Sequence, residues 1–198
     1  MSLRLIANWK LNGSREFNDH WAEEFFKNFS GSNFQSIGIA PASLYIDHFR
    51  KVICDCGIKI GAQNICDEEF GARTGEISAS MIKDLGCKFS LIGHSERRIF
   101  FHESNETISK KLNQANNNSI VPILCIGESA EENQRNDTYD VLELQINKAL
   151  KDLNQLSSLI IAYEPVWAIG SGGIPDPDEI NSIHQMIKDV VQSRFPKI

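Results

Sequence analysis

The chain has 198 residues, of which 41% are hydrophobic and 23% charged, and its formal net charge is −6. This balance is ordinary for a globular protein and argues against a disordered chain. No cluster of basic residues is present, so nucleic acid is not an expected partner. No apolar run approaches the roughly 20 residues of a membrane-spanning helix, and the N-terminus lacks a signal-peptide layout, so we expect no membrane partner.

The five cysteines are spaced in a way that fits no zinc-binding pattern. They are Cys54, Cys56, Cys66, Cys87 and Cys125. An odd number without metal-ligand spacing favours reduced thiols in a cytoplasmic protein. The sequence therefore predicts neither a metal site nor a disulfide framework.

Six short apolar runs alternate with amphipathic segments along the chain. The predicted strands are Leu3–Trp9, Ser36–Ala40, Ile58–Gln63, Lys88–Gly93, Val121–Ile126 and Leu159–Tyr163. The last helix is expected to begin with Asp176 as N-cap and Pro177 in its first position. This alternation predicts a parallel sheet covered by helices, and both a barrel and a doubly wound sheet satisfy it. No linker divides residues 1–198, which predicts one domain.

A carboxylate closes the sixth predicted strand. Glu164 follows the apolar run, and ligands of α/β folds bind at this end of the strands. The next segment starts rigidly, carries two large apolar side chains and ends in glycines, which is typical of a lid over a site. The predicted lid consists of Pro165, Val166, Trp167, Ala168, Ile169, Gly170, Ser171 and Gly172. The alternative is a structural glutamate followed by a turn.

Polar side chains also close the first and fourth predicted strands. Asn8 and Lys10 offer a hydrogen-bonding amide and a fixed positive charge for an anion. His94 precedes a predicted helix start, where the helix dipole disfavours imidazolium. The alternatives are a surface lysine and a histidine satisfied in the core.

Glu164, His94 and Lys10 are expected on one face, because strand C-termini of a parallel sheet share one edge. A carboxylate base, a neutral hydrogen-bond donor and a cation suit proton abstraction next to a carbonyl group. A lid would exclude the water that quenches such an intermediate. This chemistry requires no cofactor.

Six motifs, in order and at matching spacing, resemble those of the triosephosphate isomerase family. They are Ala7–Asn12, Gly61–Asn64, Thr74–Ser78, Ile92–Arg98, Cys125–Glu128 and Ala162–Gly170. The resemblance implies reversible interconversion of glyceraldehyde 3-phosphate and dihydroxyacetone phosphate in glycolysis and gluconeogenesis, without a cofactor and in the cytoplasm.

The resemblance also implies roles for particular residues. Glu164 is the implied base and His94 the implied neutral electrophile, the pairing for which this family is known. The implied substrate-binding residues are Asn8, Lys10 and Gly170, with Glu96 and Ser95 in support. Thr74 lies in the loop that a partner subunit receives in the family's homodimer.

The length raises two alternatives. A (β/α)₈ barrel takes about 250 residues and eight strands, and its phosphate site uses the loops after strands seven and eight. We count six strand–helix units and expect an incomplete barrel. The chain is then either an isomerase or a catalytically incompetent fragment of one. Another sugar-phosphate barrel enzyme is disfavoured by the lid around Trp167.

Overall fold

Six strands and eight α-helices make up the part of the chain that the structure describes. A computed structural model describes residues 5–29, 34–53, 56–169 and 173–196. The strands are β1 (Leu5–Asn8), β2 (Ile37–Ala40), β3 (Lys59–Ala62), β4 (Phe89–Ile92), β5 (Val121–Ile126) and β6 (Ile160–Tyr163). The helices are α1 (Arg15–Asn28), α2 (Ile46–Ile53), α3 (Ala79–Asp84), α4 (Ser95–Phe100), α5 (Asn105–Asn117), α6 (Ala130–Gln134), α7 (Thr138–Leu150) and α8 (Pro177–Arg194). Short 3₁₀ helices cover Ser43–Tyr45 and Val166–Ala168.

All six strands lie in one parallel sheet in chain order, β1 to β6. A doubly wound sheet reverses its strand order at a switch point, whereas sequential order is the winding of a barrel. The order therefore decides between the two architectures that the sequence left open. Each strand lies within two residues of its predicted bounds, and the fold is the predicted six-stranded part of a (β/α) barrel.

The sheet curls around the ends of its strands. Strands lie about 4.8 Å apart, so a flat sheet would place the ends of β1 and β4 about 14 Å apart. The Lys10 ammonium, beyond β1, nevertheless lies 2.8 Å from the Glu96 carboxylate, beyond β4. His94, also beyond β4, lies 3.3 Å from Glu164, beyond β6. The curl brings side chains from distant strands together over one opening.

The two faces of the sheet bury different sets of side chains. The helix-facing side packs a large core that includes Ile39, Ile92 and Leu124 with residues from α2, α5, α7 and α8. The concave side holds a smaller cluster of Ala40, Phe89, Leu91 and Ile123. Burial on both faces explains why these strands read as continuous apolar runs.

Helix ends match the sequence signals. The Asp176 carboxylate accepts hydrogen bonds from the backbone N–H groups of Asp178 and Glu179 at the start of α8, as predicted.

Four cysteines, namely Cys56, Cys66, Cys87 and Cys125, are free, while Cys54 lies outside the described residues. None of the described helices combines the length and apolarity needed to cross a membrane.

Candidate active site

The carboxyl ends of β1, β3 and β4 surround a cleft of about 650 Å³. Its lining consists of Asn8, Lys10, Leu11, Asn12, Gln63, Asn64, His94, Glu96, Arg97, Phe100 and Phe101. Glu164 lines a neighbouring cavity of about 130 Å³ together with Ser95 and Val166. Contact between His94 and Glu164 joins the two spaces. The curled sheet thus brings the polar residues predicted at three strand ends into one region.

The histidine is held as a neutral hydrogen-bond donor by the start of α4. His94 is the N-cap of this helix, and its Nδ1 accepts a hydrogen bond from the Glu96 backbone N–H at 3.2 Å. A backbone N–H can only donate, so Nδ1 carries no proton and the hydrogen resides on Nε2. Nε2 lies 3.3 Å from the Glu164 Oε2. The tautomer is set by a direct hydrogen bond, which is more specific than the dipole effect that the sequence suggested.

The Glu164 carboxylate is largely buried and is held by the first residue of α4. Ser95 donates from its backbone N–H to Oε1 at 3.1 Å and from its hydroxyl to Oε2 at 3.2 Å. Burial, and next the negative charge of Glu164, raise the pKa of the Cys125 thiol. The thiol therefore stays neutral beside the carboxylate. Ser95, named in the sequence only as a supporting residue, makes the largest number of observed hydrogen bonds to this carboxylate.

Lys10 adopts a strained backbone conformation that its neighbours enforce. Its φ of 52° is left-handed, and such residues cost on the order of 1–3 kcal/mol. The Asn8 side-chain oxygen accepts from the Lys10 N–H at 2.9 Å, and Gln63 donates from Nε2 to both the Lys10 and Ala40 carbonyl oxygens. The ammonium lies 2.8 Å from Glu96 at the mouth of the cleft. A cation is therefore fixed in place with its charge only partly neutralised by a half-exposed carboxylate.

The predicted lid begins in an anchored position. Trp167 donates from its indole Nε1 to the Glu128 Oε1 at 2.6 Å, and the Tyr163 hydroxyl donates to the same oxygen at 3.1 Å. The Val166 N–H donates to the Glu128 carbonyl oxygen at 3.1 Å. Glu128 is fully buried, and burial together with its charge raises the pKa of Tyr163. Three lid residues, Gly170, Ser171 and Gly172, lie outside the described residues.

Sequence reasoning gave no role to Glu128, Gln63 or Arg98, although all three lie within the motifs quoted above. Arg98 donates to the carbonyl oxygens of Gly93 and Cys125, and so ties the end of β4 to the end of β5. Burial lowers the pKa of its guanidinium. Gln63 and Arg98 bond to backbone carbonyl groups and Glu128 bonds to two side chains. These partners lie mostly far away in the sequence, so the spacing of the motifs does not predict the contacts.

Thr74 lies in a fully exposed stretch from residue 70 to 76. A hydrogen bond from the Cys66 N–H to the Ile77 carbonyl oxygen closes the base of this loop at 2.8 Å. Glu68 and Arg73 form an ion pair within it. The loop therefore has internal hydrogen bonds and projects from the sheet, next to the cleft-lining residue Asn64.

Almost the whole chain is similar to proteins of one family. The family model described as "Triosephosphate isomerase" matches residues 3–198. Proteins of that name from Chlamydia muridarum and Thermodesulfovibrio yellowstonii are 41% and 40% identical over 98% and 96% of this chain, which covers 72% and 78% of their lengths. One from Dictyoglomus thermophilum is 39% identical over 96% of this chain and 78% of its own length. The chain belongs to the triosephosphate isomerase family.

Proposed function

We propose that the cleft interconverts glyceraldehyde 3-phosphate and dihydroxyacetone phosphate, with Glu164 as the base and His94 as the electrophile. One observation carries this proposal. The His94 Nε2 atom, which carries the hydrogen of the neutral imidazole, lies 3.3 Å from the Glu164 Oε2, while Nδ1 accepts from a backbone N–H. A substrate whose carbonyl oxygen meets His94 would then present its adjacent carbon to Glu164.

In the forward step, Glu164 removes a proton from the carbon next to the carbonyl group. The electron pair of that C–H bond forms the carbon–carbon double bond of an enediolate, and the carbonyl electrons move to oxygen. His94 donates a hydrogen bond from Nε2 to this oxygen and relays a proton between the two substrate oxygens. Glu164 then returns its proton to the neighbouring carbon. No atoms are gained or lost, so the isomerisation balances without a cofactor.

Lys10 and Asn8 are the proposed substrate contacts at the mouth of the cleft. The Lys10 ammonium provides positive charge for the phosphate and for the enediolate. Glu96 holds this ammonium at 2.8 Å, which supports its role as a partner of Lys10. Gly170 stays a predicted phosphate contact and lies outside the described residues.

Turnover on this scheme requires Glu164 to leave its present position. Ser95 now holds both carboxylate oxygens on the side of the smaller cavity. The lid is anchored nearby through Trp167 and Glu128. We infer that lid closure breaks the Trp167–Glu128 hydrogen bond and carries the carboxylate towards the cleft, where water is excluded.

The test is an isomerase assay of the purified chain with His94→Asn beside it. Asparagine is a good N-cap and preserves the start of α4, but its side chain is too short to reach the substrate oxygen. Loss of a positioned oxyanion donor lowers kcat by about 10²–10³-fold. Because a contaminating host isomerase would be present in both preparations, the rate that remains in His94→Asn sets an upper limit on its contribution. Equal rates for both proteins would contradict the proposal and indicate the incompetent fragment.

We infer that the chain acts as a homodimer. Several large apolar side chains beside the cleft are exposed, and contiguous exposed apolar surface marks interaction sites. Leu11, Phe100 and Phe101 line the cleft, while Phe70 projects on the Thr74 loop with 87% of its surface exposed. A second copy that inserts this loop beside the cleft would bury apolar surface on both chains.

Phe70→Glu is expected to shift the chain from dimer to monomer, because it places a charge in the apolar contact. Light scattering after size-exclusion chromatography measures the mass. Leu144→Glu is the matched control, since Leu144 is exposed on the outer surface of α7 and far along the chain from this loop. A Phe70→Glu protein with the mass of the parent chain would rule out this loop as the contact.

The same proposal places the enzyme in the cytoplasm. Cys66, Cys87 and Cys125 are buried free thiols, which suit a reducing compartment. Burial raises the pKa of Cys87 to about 11, so this thiol is protonated at neutral pH.

A further inference from the structure

The short segment 126–128, at the carboxyl end of β5, supports both the proposed base and the lid. The Glu164 N–H donates to the Ile126 carbonyl oxygen at 2.9 Å. Glu128 receives the Val166 N–H on its carbonyl oxygen and the Trp167 indole on its carboxylate. The placement of Glu164 and of the first lid residues thus depends on where this segment lies.

One side chain on α7 clamps the middle of the segment. Gln145 accepts from the Gly127 N–H through Oε1 at 3.1 Å and donates from Nε2 to the Gly127 carbonyl oxygen at 3.0 Å. The N–H and the carbonyl group of Gly127 are thus both bonded to the side-chain amide of Gln145. The buried residues Leu142, Ile146 and Ala149 anchor α7 in the core, and Gln145 lies on the same side of that helix.

Gly127 has no space in which to move towards the base. A Cβ placed on Gly127 would lie 1.9 Å from the Glu164 carbonyl oxygen, so the two backbones are in close contact. A shift of Gly127 would therefore displace the Glu164 backbone or break its hydrogen bond to Ile126. Because Gln145 fixes Gly127, this close contact makes the position of the Glu164 carboxylate depend on Gln145.

We propose that Gln145 is a positioning residue: its amide fixes Gly127 and thereby sets the position of Glu164 and of the lid's anchored start. Gly127 lies just beyond Ile126, the last paired residue of β5, and its N–H and carbonyl groups are bonded by Gln145. Each of the two amide hydrogen bonds is expected to make a modest net contribution to stability. The effect on the reaction is larger, because misplacement of a reacting group by about 1 Å can cost on the order of 10²-fold in rate. The catalytic part of this inference rests on the proposed function.

The test compares Gln145→Met with Asn147→Met. Methionine keeps the length and volume of glutamine but makes neither hydrogen bond, and Asn147 is an exposed residue of the same helix. We expect kcat to fall by about 10- to 100-fold in Gln145→Met, with KM within about twofold of the parent value. We also expect a larger primary deuterium isotope effect on kcat, because a misplaced base makes proton abstraction rate-limiting. A purely structural role would change the amount of folded protein but not the isotope effect.

Amide hydrogen exchange gives a readout that needs no activity. In Gln145→Met, the amides of Gly127 and Glu164 are expected to exchange at least about tenfold faster, because both lose the fixed geometry of their acceptors. Amides within α7 and those of Asn147→Met are expected to keep the parent rates. Gln145→Glu keeps an acceptor for the Gly127 N–H but replaces the donor to the Gly127 carbonyl with a negatively charged oxygen. The same direction of change is expected in this second variant, which serves if Gln145→Met fails to fold.

The outcomes separate the two proposals. An inactive parent chain would overturn the proposed function. Hydrogen exchange of the Glu164 amide in Gln145→Met would then still decide whether Gln145 positions this segment. An active parent with parent-like kcat, isotope effect and exchange in Gln145→Met would overturn the positioning role and leave the proposed function intact.

Discussion

Glu164→Gln is expected to lower kcat for isomerisation by about 10²–10⁴-fold, the usual contribution of a positioned general base. The amide has nearly the shape of the carboxylate, but it cannot accept the carbon-bound proton. The Ser95 N–H can still donate to the side-chain oxygen that replaces Glu164 Oε1, now 3.1 Å away. The melting temperature is therefore expected to stay within about 3 °C of the parent value.

Two measurements check this expectation: kcat, and the uptake of solvent deuterium at the substrate carbon. Proton exchange at that carbon reports the base directly, because it requires abstraction even when product is not released. Glu131→Gln is the matched control, since Glu131 is an exposed residue of α6. Deuterium uptake by Glu164→Gln at the parent rate would show that another group is the base.

Gly127→Ala is expected to reduce both stability and turnover. Its Cβ would lie 1.9 Å from the Glu164 carbonyl oxygen and 2.9 Å from the carbonyl carbon, so one backbone must move. Overpacking a filled region costs about 1–3 kcal/mol, and a contact with backbone belongs at the upper end because no flexible side chain can yield. A loss of about 3 kcal/mol corresponds to a fall of about 6–12 °C in melting temperature for a chain of this size. The displaced Glu164 is expected to lower kcat by at least about tenfold.

Thermal unfolding and steady-state kinetics test this prediction against Gly86→Ala. Gly86 has a φ of +81°, so alanine is strained there, but its nearest contacts are the flexible side chain of Arg50 at 3.4 Å. We expect a smaller loss of stability and an unchanged kcat in that control. A Gly127→Ala protein as stable and active as Gly86→Ala would mean that the backbones of Gly127 and Glu164 can move apart at little cost. That result would count against the proposal that Gln145 positions Glu164 through Gly127.

The two variants address different parts of one arrangement. Glu164→Gln removes the chemistry of the base while leaving its position, and Gly127→Ala leaves the chemistry while moving the base. A loss of rate in both, with loss of stability in only the second, would separate proton transfer from positioning. Gln145→Met should then resemble a milder Gly127→Ala, because it releases the same segment without a steric clash.

Local pattern determined which elements form. Each of the six apolar runs became a strand, because the runs are short and bounded by polar or turn-forming residues. Asp176 and Pro177 marked the start of α8, because capping depends on adjacent residues. The sequence does not predict the short helices α2 and α3, because brief segments carry too few turns to show a helical period.

The sequence also determined which residues end the strands, and the parallel arrangement then placed Lys10, His94 and Glu164 on one side. It could not decide between a barrel and a doubly wound sheet, because periodicity describes faces and not the order of strands. That order is visible only in the structure, where each strand pairs with the next one from β1 to β6.

Contacts that position the site were decided by tertiary structure alone. Gln145 and Gly127 are 18 residues apart, and Trp167 and Glu128 are 39 apart. A hydrogen bond of this kind depends on the curl of the sheet and on the packing of α7, and neither leaves a periodic mark in the chain. The sequence by itself thus determined the strands, the helix caps and the chemistry available at the strand ends. Only the fold decided which groups hold those side chains in place. Those contacts join segments that are far apart in the sequence, whereas local patterns report only on neighbouring residues.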